Sequence, residues 1–121
     1  MRVSVAETLA ELAPAGLRYS PLTGLELRYS ASNGSEWDRF GAALAAYVRE
    51  PVLPEDFERA DQVQRMLASE GLKGRKPVDL VIAAQAERTQ LVVLHYDRDF
   101  ELIAGITKQS HRWVVPRGSI D

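Results

Sequence analysis

The sequence predicts an α/β fold of three layers, in which helices flank a short parallel central sheet. Apolar residues recur at helical spacing along most of the chain, and short β-rich runs separate these helical stretches. One such run, at residues 91–94, is apolar throughout, which is typical of a strand buried on both faces of a parallel sheet.

Composition limits the classes of protein that fit the chain. The 121 residues are 45% hydrophobic and 26% charged, which predicts one domain over residues 1–121 and excludes a disordered chain. The sequence contains no cysteine, so disulfides and cysteine-ligated zinc are excluded. The formal net charge of -2 means that nucleic-acid binding would need a local basic patch. No apolar run reaches the ~20 residues of a membrane span and no signal peptide is visible, so we expect a cytoplasmic protein.

The first elements alternate between helix and strand. Ser4 is predicted to cap a helix that ends before Pro14, and residues 17–20 are predicted to form a short strand. The apolar spacing after Pro21 predicts a second helix that ends at Asn33.

Prolines and a glycine mark the next two helices. Ser35 is predicted to cap a strongly amphipathic helix that closes at Pro51. Pro54 opens a further helix that Gly71 ends, and Phe57 belongs to its predicted apolar face.

The last third of the chain reads as helix, strand, helix and strand. Pro77 begins a helix that is apolar almost all round over residues 78–86, so we expect it to pack on several sides. The buried strand at 91–94 follows, then a helix over 97–107 and a short strand at 113–115.

Three acidic residues lie where acids are unexpected. Asp79 occurs in the nearly all-apolar helix, Asp97 follows the buried strand at its carboxyl end, and Glu26 lies on the apolar stripe of the second helix. Asp99 lies two residues beyond Asp97. Each acid also has an ordinary interpretation, since Asp79, Asp97 and Asp99 suit helix caps or first turns and Glu26 suits a surface ion pair.

Clustered carboxylates repel one another unless a cation offsets their charge, so the three acids together favour a metal site. Hard oxygen ligands, without cysteine or a spaced histidine pair, favour Mg²⁺ or Mn²⁺. His95 and His111 lack the spacing of metal ligands, and we expect His95 to be a packed residue.

A basic cluster of Lys73, Arg75 and Lys76 immediately precedes the acidic helix. Such a cluster is usually a solvated loop, but here it could hold a polyanion beside the carboxylates. Arg112, near the end of the chain, could extend this phosphate-binding track.

Three segments carry a resemblance to a known family. Residues 23–31 (TGLELRYSA), 77–84 (PVDLVIAA) and 94–104 (LHYDRDFELIA) resemble successive motifs of PIN-domain ribonucleases, specifically the VapC-type toxins of bacterial toxin–antitoxin systems. The resemblance implies a PIN-like fold, with Glu26, Asp79 and Asp97 as metal-site acids and Asp99 as an accessory acid. It further implies a homodimer, an RNA substrate and a VapB-like antitoxin.

The N-terminus departs from the family pattern. Members begin with a strand that ends in an Asp followed by Ser or Thr, and this chain is predicted to lack that strand and that first acid. Either Met1 is an internal residue of a longer protein or the chain is naturally short.

From the acidic residues and the resemblance together, we predict a Mg²⁺-dependent endoribonuclease toxin. The alternative is a catalytically inactive PIN-like domain that binds antitoxin or RNA.

Overall fold

The computed structural model describes residues 17–73, 75–95 and 98–113, so the helix predicted at Ser4 and the strand residues Val114 and Val115 lie outside it. The helices are α1 (Pro21–Arg28), α2 (Gly34–Gly41), a 3₁₀ helix (Ala42–Ala46), α3 (Pro54–Ser69), α4 (Pro77–Thr89) and α5 (Arg98–Thr107). The strands are β1 (Arg18–Tyr19), β2 (Val48–Arg49), β3 (Val93–His95) and β4 (His111–Trp113).

The four strands form two parallel pairs. In the first pair Arg18 lies opposite Val48, and in the second Val93 lies opposite His111. Helices connect the strands of each pair, which confirms the predicted α/β class with short parallel strands. Within the described ranges the two pairs are separate two-stranded sheets, so the single central sheet expected from the sequence is not seen there.

Two predicted boundaries near α2 are wrong for an identifiable reason. Asn33, expected to end the preceding helix, instead caps α2, since its side chain accepts the Glu36 N–H at 2.8 Å. The Glu36 carboxylate in turn accepts the backbone N–H of Ser32 at 3.0 Å. The preceding helix α1 has already ended at Arg28, and Ser35 lies inside α2 rather than at its cap.

The helix predicted to run to Pro51 stops earlier. It ends at Gly41, continues as the 3₁₀ helix, and gives way to β2, where Val48 and Arg49 pair with β1. Pairing with a strand distant in the sequence therefore overrides the local helical pattern.

Helices α3, α4 and α5 enclose the hydrophobic core. Leu67 and Ile103 are almost completely buried, and α4 buries seven of its thirteen residues, which confirms that it packs on several sides. The predicted inward position of Phe57 is wrong, because 53% of its surface is exposed. The buried stripe of α3 instead starts one residue earlier, at Asp56.

Asp56 is buried because it forms an ion pair between α3 and α4. Its carboxylate accepts Arg88 Nε at 2.8 Å and Arg88 Nη2 at 3.1 Å, and it also accepts the Leu53 N–H at 2.8 Å. Burial alone would raise the pKa of Asp56, but the hydrogen bonds from Arg88 and Leu53 and the charge of Arg88 outweigh burial and lower that pKa. The pair therefore links the first turn of α3 to the last turn of α4.

Left-handed residues end two of these helices. Gly71, with φ of 74°, follows α3 as predicted, and Gln90, with φ of 57°, follows α4. The next strand begins at Val93 rather than at Leu91, and Val92 is half-exposed. In the part of the chain that the structure describes, no helix is long and apolar enough to cross a membrane.

Candidate active site

Two acids occupy the first turns of neighbouring helices. Asp79 is the third residue of α4, after Pro77, and Asp99 is the second residue of α5. The N-terminus of a helix carries exposed N–H groups and a partial positive charge, so both positions favour a carboxylate. These two helix starts form the frame of the candidate site.

Asp79 is buried in an apolar part of the molecule. Only 5% of its surface is exposed, and its neighbours Leu80 and Val81 belong to the core. A surface acid that merely complements the helix dipole would stay in water, because moving an ionised carboxylate into an apolar interior is costly. The burial of Asp79 therefore favours a specific role for this carboxylate over the ordinary first-turn interpretation.

The basic segment between α3 and α4 reaches Asp99. Arg75 Nη1 lies 3.2 Å from Asp99 Oδ1, and the two side chains are only 22% and 19% exposed. The same guanidinium donates from Nε and Nη2 to the Lys73 carbonyl oxygen, at 3.0 and 2.8 Å. The structure thus brings together the predicted basic cluster and the predicted accessory acid, at the start of α5.

The other predicted cations lie in water. Lys73 and Lys76 are exposed on the segment before α4, and Arg112 is exposed on β4. Exposed cations are accessible to a phosphate, so their positions are compatible with the predicted RNA-binding role.

The predicted metal-ligand set is described only in part. Glu26 lies on α1 with an exposed side chain, and Asp97 lies outside the described residues. Over residues 17–73, 75–95 and 98–113, no group of three His, Cys, Asp or Glu side chains could hold a metal. The carboxylate oxygens of Asp79 and Asp99 are nevertheless the type of donor that Mg²⁺ and Mn²⁺ prefer.

His95 is a packed residue, as predicted. It is buried on β3, and its Nε2 lies 2.9 Å from His111 Nδ1 on the adjacent strand. Its ring also contacts those of Phe100 and Trp113, with centroids 5.3 and 4.7 Å away. This aromatic cluster fixes the carboxyl end of β3, immediately before the predicted ligand Asp97.

Sequence reasoning missed the partners of these side chains. The contacts of Arg75 with Asp99, and of Trp113 Nε1 with Glu101 Oε2 at 3.2 Å, join residues 24 and 12 positions apart. Nothing periodic in the sequence marks such pairs. Parallel pairing of β3 with β4 places His95 opposite Trp113. Once these two segments are expected to pair, the meeting of the two rings can also be expected.

Comparisons with known proteins agree with this architecture. The family described as PIN domain matches residues 2–106. Ribonuclease VapC51 of Mycobacterium tuberculosis (strain ATCC 25618 / H37Rv) is 45% identical over 121 residues, which cover 99% of this chain and 88% of that protein. Ribonuclease VapC18 of the same strain is 46% identical over 99 residues, covering 79% of this chain and 72% of that protein.

Two solved structures share the fold. A DNA-bound VapBC crystal structure from Salmonella typhimurium superimposes with a TM-score of 0.72 at 22% identity, covering 94% of this chain and 86% of that one. VapBC2 from Rickettsia felis, bound to a DNA fragment from their promoter, gives 0.75 at 17% identity, covering 93% and 86%. At these identities the likeness concerns the fold alone. Together with the family match and the two relatives near 45% identity, it shows that this chain belongs to the PIN-domain family, among the VapC ribonucleases.

Proposed function

We propose that this chain is the toxin of a type II toxin–antitoxin system and a Mg²⁺-dependent endoribonuclease that hydrolyses RNA phosphodiester bonds. The two helix starts of the candidate site carry the proposal. Asp79 is buried in the first turn of α4, and Asp99, in the first turn of α5, contacts Arg75 of the basic segment. Carboxylates next to cations are what a nuclease needs to hold a metal and a polyanion together. The similarity to proteins named ribonuclease supports the same reaction.

Each predicted residue has a role in this proposal. Glu26, Asp79 and Asp97 would hold the metal, directly or through water, and Asp99 would serve as an accessory acid near them. A bound Mg²⁺ supplies an activated water and offsets the negative charge that develops on the phosphate. The chain itself contributes fixed carboxylates, because the first turns of α4 and α5 hold Asp79 and Asp99 on rigid elements.

Binding of RNA is assigned to the exposed cations Lys73, Lys76 and Arg112. The basic cluster defined by the sequence also contains Arg75, whose contact with Asp99 distinguishes it from the exposed members. A cytoplasmic location, which is consistent with an RNA substrate, is part of the same proposal.

Replacing Lys73 by glutamine should weaken RNA binding in a salt-dependent manner. Each phosphate contact that is lost is expected to reduce the slope of log affinity against log salt by about 0.7 for single-stranded RNA. Binding titrations at several salt concentrations measure that slope. Arg65→Gln, which removes one exposed charge from α3, is the matched control and should leave the slope unchanged. Equal effects of the two substitutions would contradict a phosphate contact at Lys73.

An antitoxin partner of the VapB type is proposed for an apolar groove between α1, α3 and α4. The groove has a volume of about 260 Å³ and is lined by Leu22, Phe57, Val78 and Val81, among others. Phe57 is a large apolar side chain that is half-exposed at this groove, so it offers an apolar contact to a segment of the partner. Val78 and Leu80, the residues on either side of Asp79, line the groove, so a segment lying in it would pass along the first turn of α4. A homodimer, as the resemblance implies, belongs to the same proposal.

The direct test is cleavage of RNA by the purified protein with and without divalent metal. We expect cleavage with Mg²⁺ or Mn²⁺ and its loss when EDTA removes the metal, because the carboxylates alone cannot activate water for attack on a phosphate. Readdition of Mn²⁺ should restore the activity. Cleavage that persists in EDTA would contradict the metal dependence, and absence of cleavage with either metal would contradict the nuclease assignment.

The alternative is an inactive PIN-like domain that binds antitoxin or RNA. The exposed position of Glu26 favours it, since no three described ligands converge. Thermal melting with increasing Mn²⁺ separates the two functions. A metal-binding site should raise the melting temperature by mass action, whereas an inactive domain should show no shift.

A further inference from the structure

Arg75 differs from the other cations of its cluster in having a fixed guanidinium. Nη1 contacts Asp99 Oδ1 at 3.2 Å, while Nε and Nη2 both donate to the carbonyl oxygen of Lys73. All three nitrogens are therefore engaged within the protein. The side chain of Lys73, in contrast, is exposed.

We infer that Arg75 is a positioning residue that acts through Asp99 rather than by contacting RNA. This inference rests on the proposed metal-dependent function of the site. The guanidinium offsets part of the negative charge of Asp99 and restricts how its carboxylate can turn. Arginine suits this task better than lysine, because its planar fork can hold a carboxylate and a carbonyl at once.

The position of Arg75 gives the contact a second consequence. Arg75 lies two residues before Pro77 and four residues before Asp79, in the segment that leads into α4. Its bond to Asp99 therefore ties the start of α4 to the start of α5.

Removing the charge of Arg75 should increase the attraction of the site for a divalent cation. Arg75 would then no longer offset part of the charge of Asp99, and a partly exposed charge pair is worth about 0.2–1 kcal/mol. On that scale, Arg75→Gln is expected to lower the Mn²⁺ concentration that gives half of the thermal shift by roughly 1.4- to fivefold. RNA turnover should nevertheless fall, because Asp99 is no longer held in place.

The experiment compares the wild type with Arg75→Gln, Arg75→Lys, Asp99→Asn and the Arg75→Gln/Asp99→Asn double variant. Thermal melting over a range of Mn²⁺ concentrations, without RNA, reports the metal response. Steady-state cleavage then gives kcat and KM separately. Arg65→Gln is the control for loss of an exposed cation outside the site.

The inference requires three results. Arg75→Gln shifts the Mn²⁺ midpoint and lowers kcat with KM nearly unchanged, Arg75→Lys restores most of the Mn²⁺ response, and Arg75→Gln has no further effect on that response once Asp99 is asparagine. A raised KM with an unchanged Mn²⁺ midpoint would overturn the inference and make Arg75 an RNA contact. A lower melting temperature with unchanged Mn²⁺ midpoint and unchanged kcat would make Arg75 a structural residue only.

These readouts also separate the inference from the proposed function. A wild type that binds Mn²⁺ but cleaves no RNA would end the ribonuclease proposal, while the midpoints and the double variant would still decide whether Arg75 acts through Asp99. A wild type with no Mn²⁺ response would overturn both, because Arg75 would then have no metal site to influence.

Discussion

Asp79→Asn is expected to reduce RNA cleavage by about 10²- to 10³-fold, the scale of losing one preorganised electrostatic group from an active site. Asparagine keeps the size of aspartate but offers a neutral oxygen, so the site loses one unit of negative charge and one strong metal ligand. Asp79 is buried, and it is the only acidic residue in the first turn of α4. No other carboxylate on that turn can therefore replace it.

The measurement is kcat/KM for RNA cleavage at saturating Mg²⁺, together with the melting temperature. The fold should remain intact, since asparagine is well tolerated near a helix N-terminus and removes a buried charge. Asp38→Asn, an exposed acid on α2, serves as the control and should leave cleavage unchanged. Full Mg²⁺-dependent activity in Asp79→Asn would show that this carboxylate is not part of the metal site.

Arg88→Ala should destabilise the protein by about 3 kcal/mol, as expected when a buried carboxylate loses its cationic partner. Asp56 is 1% exposed, whereas the Arg88 side chain is 27% exposed, so water reaches only the arginine end of the pair. This places the loss at the lower end of the range for buried pairs. Urea unfolding at neutral pH measures the change in free energy.

A second ion pair between the same two helices provides the control. Arg59 Nε lies 2.7 Å from Glu87 Oε1, but both side chains are about one-third exposed. Removal of a surface pair costs about 0–1 kcal/mol, so Arg59→Ala should have a much smaller effect than Arg88→Ala. Equal losses would mean that burial of Asp56 does not determine the cost.

The pH dependence of this difference follows from the lowered pKa of Asp56. A carboxyl group whose pKa is lower in the folded state than in the unfolded state stabilises the fold above the unfolded pKa, near 3.8, and this stabilisation is lost as the pH falls through the folded pKa. Without Arg88, burial should raise the pKa of Asp56. The difference between wild type and Arg88→Ala should therefore begin to shrink as the pH falls through the raised pKa of Asp56 in the variant, above 3.8, and should continue to shrink until the pH passes the lowered pKa of the wild type.

Much of the helical architecture follows from the sequence alone. Pro54 and Pro77 begin α3 and α4 where predicted, and Gly71 follows the end of α3 in a left-handed conformation. These signals work because they act within a few residues: proline lacks an N–H that the first helical turn does not need, and glycine accepts a positive φ. The apolar character of residues 78–86 likewise predicts a buried helix and marks Asp79 as an unusual acid.

Only the tertiary structure decided which side chains meet. Asp56 rather than Phe57 turns inward, because its partner Arg88 lies 32 residues away on α4. Arg75, a member of the predicted basic cluster, contacts Asp99, and Val48 joins a strand although its surroundings favour a helix. Local propensity determines where a helix begins and ends, whereas ion pairs and strand pairs depend on which elements the folded core places side by side.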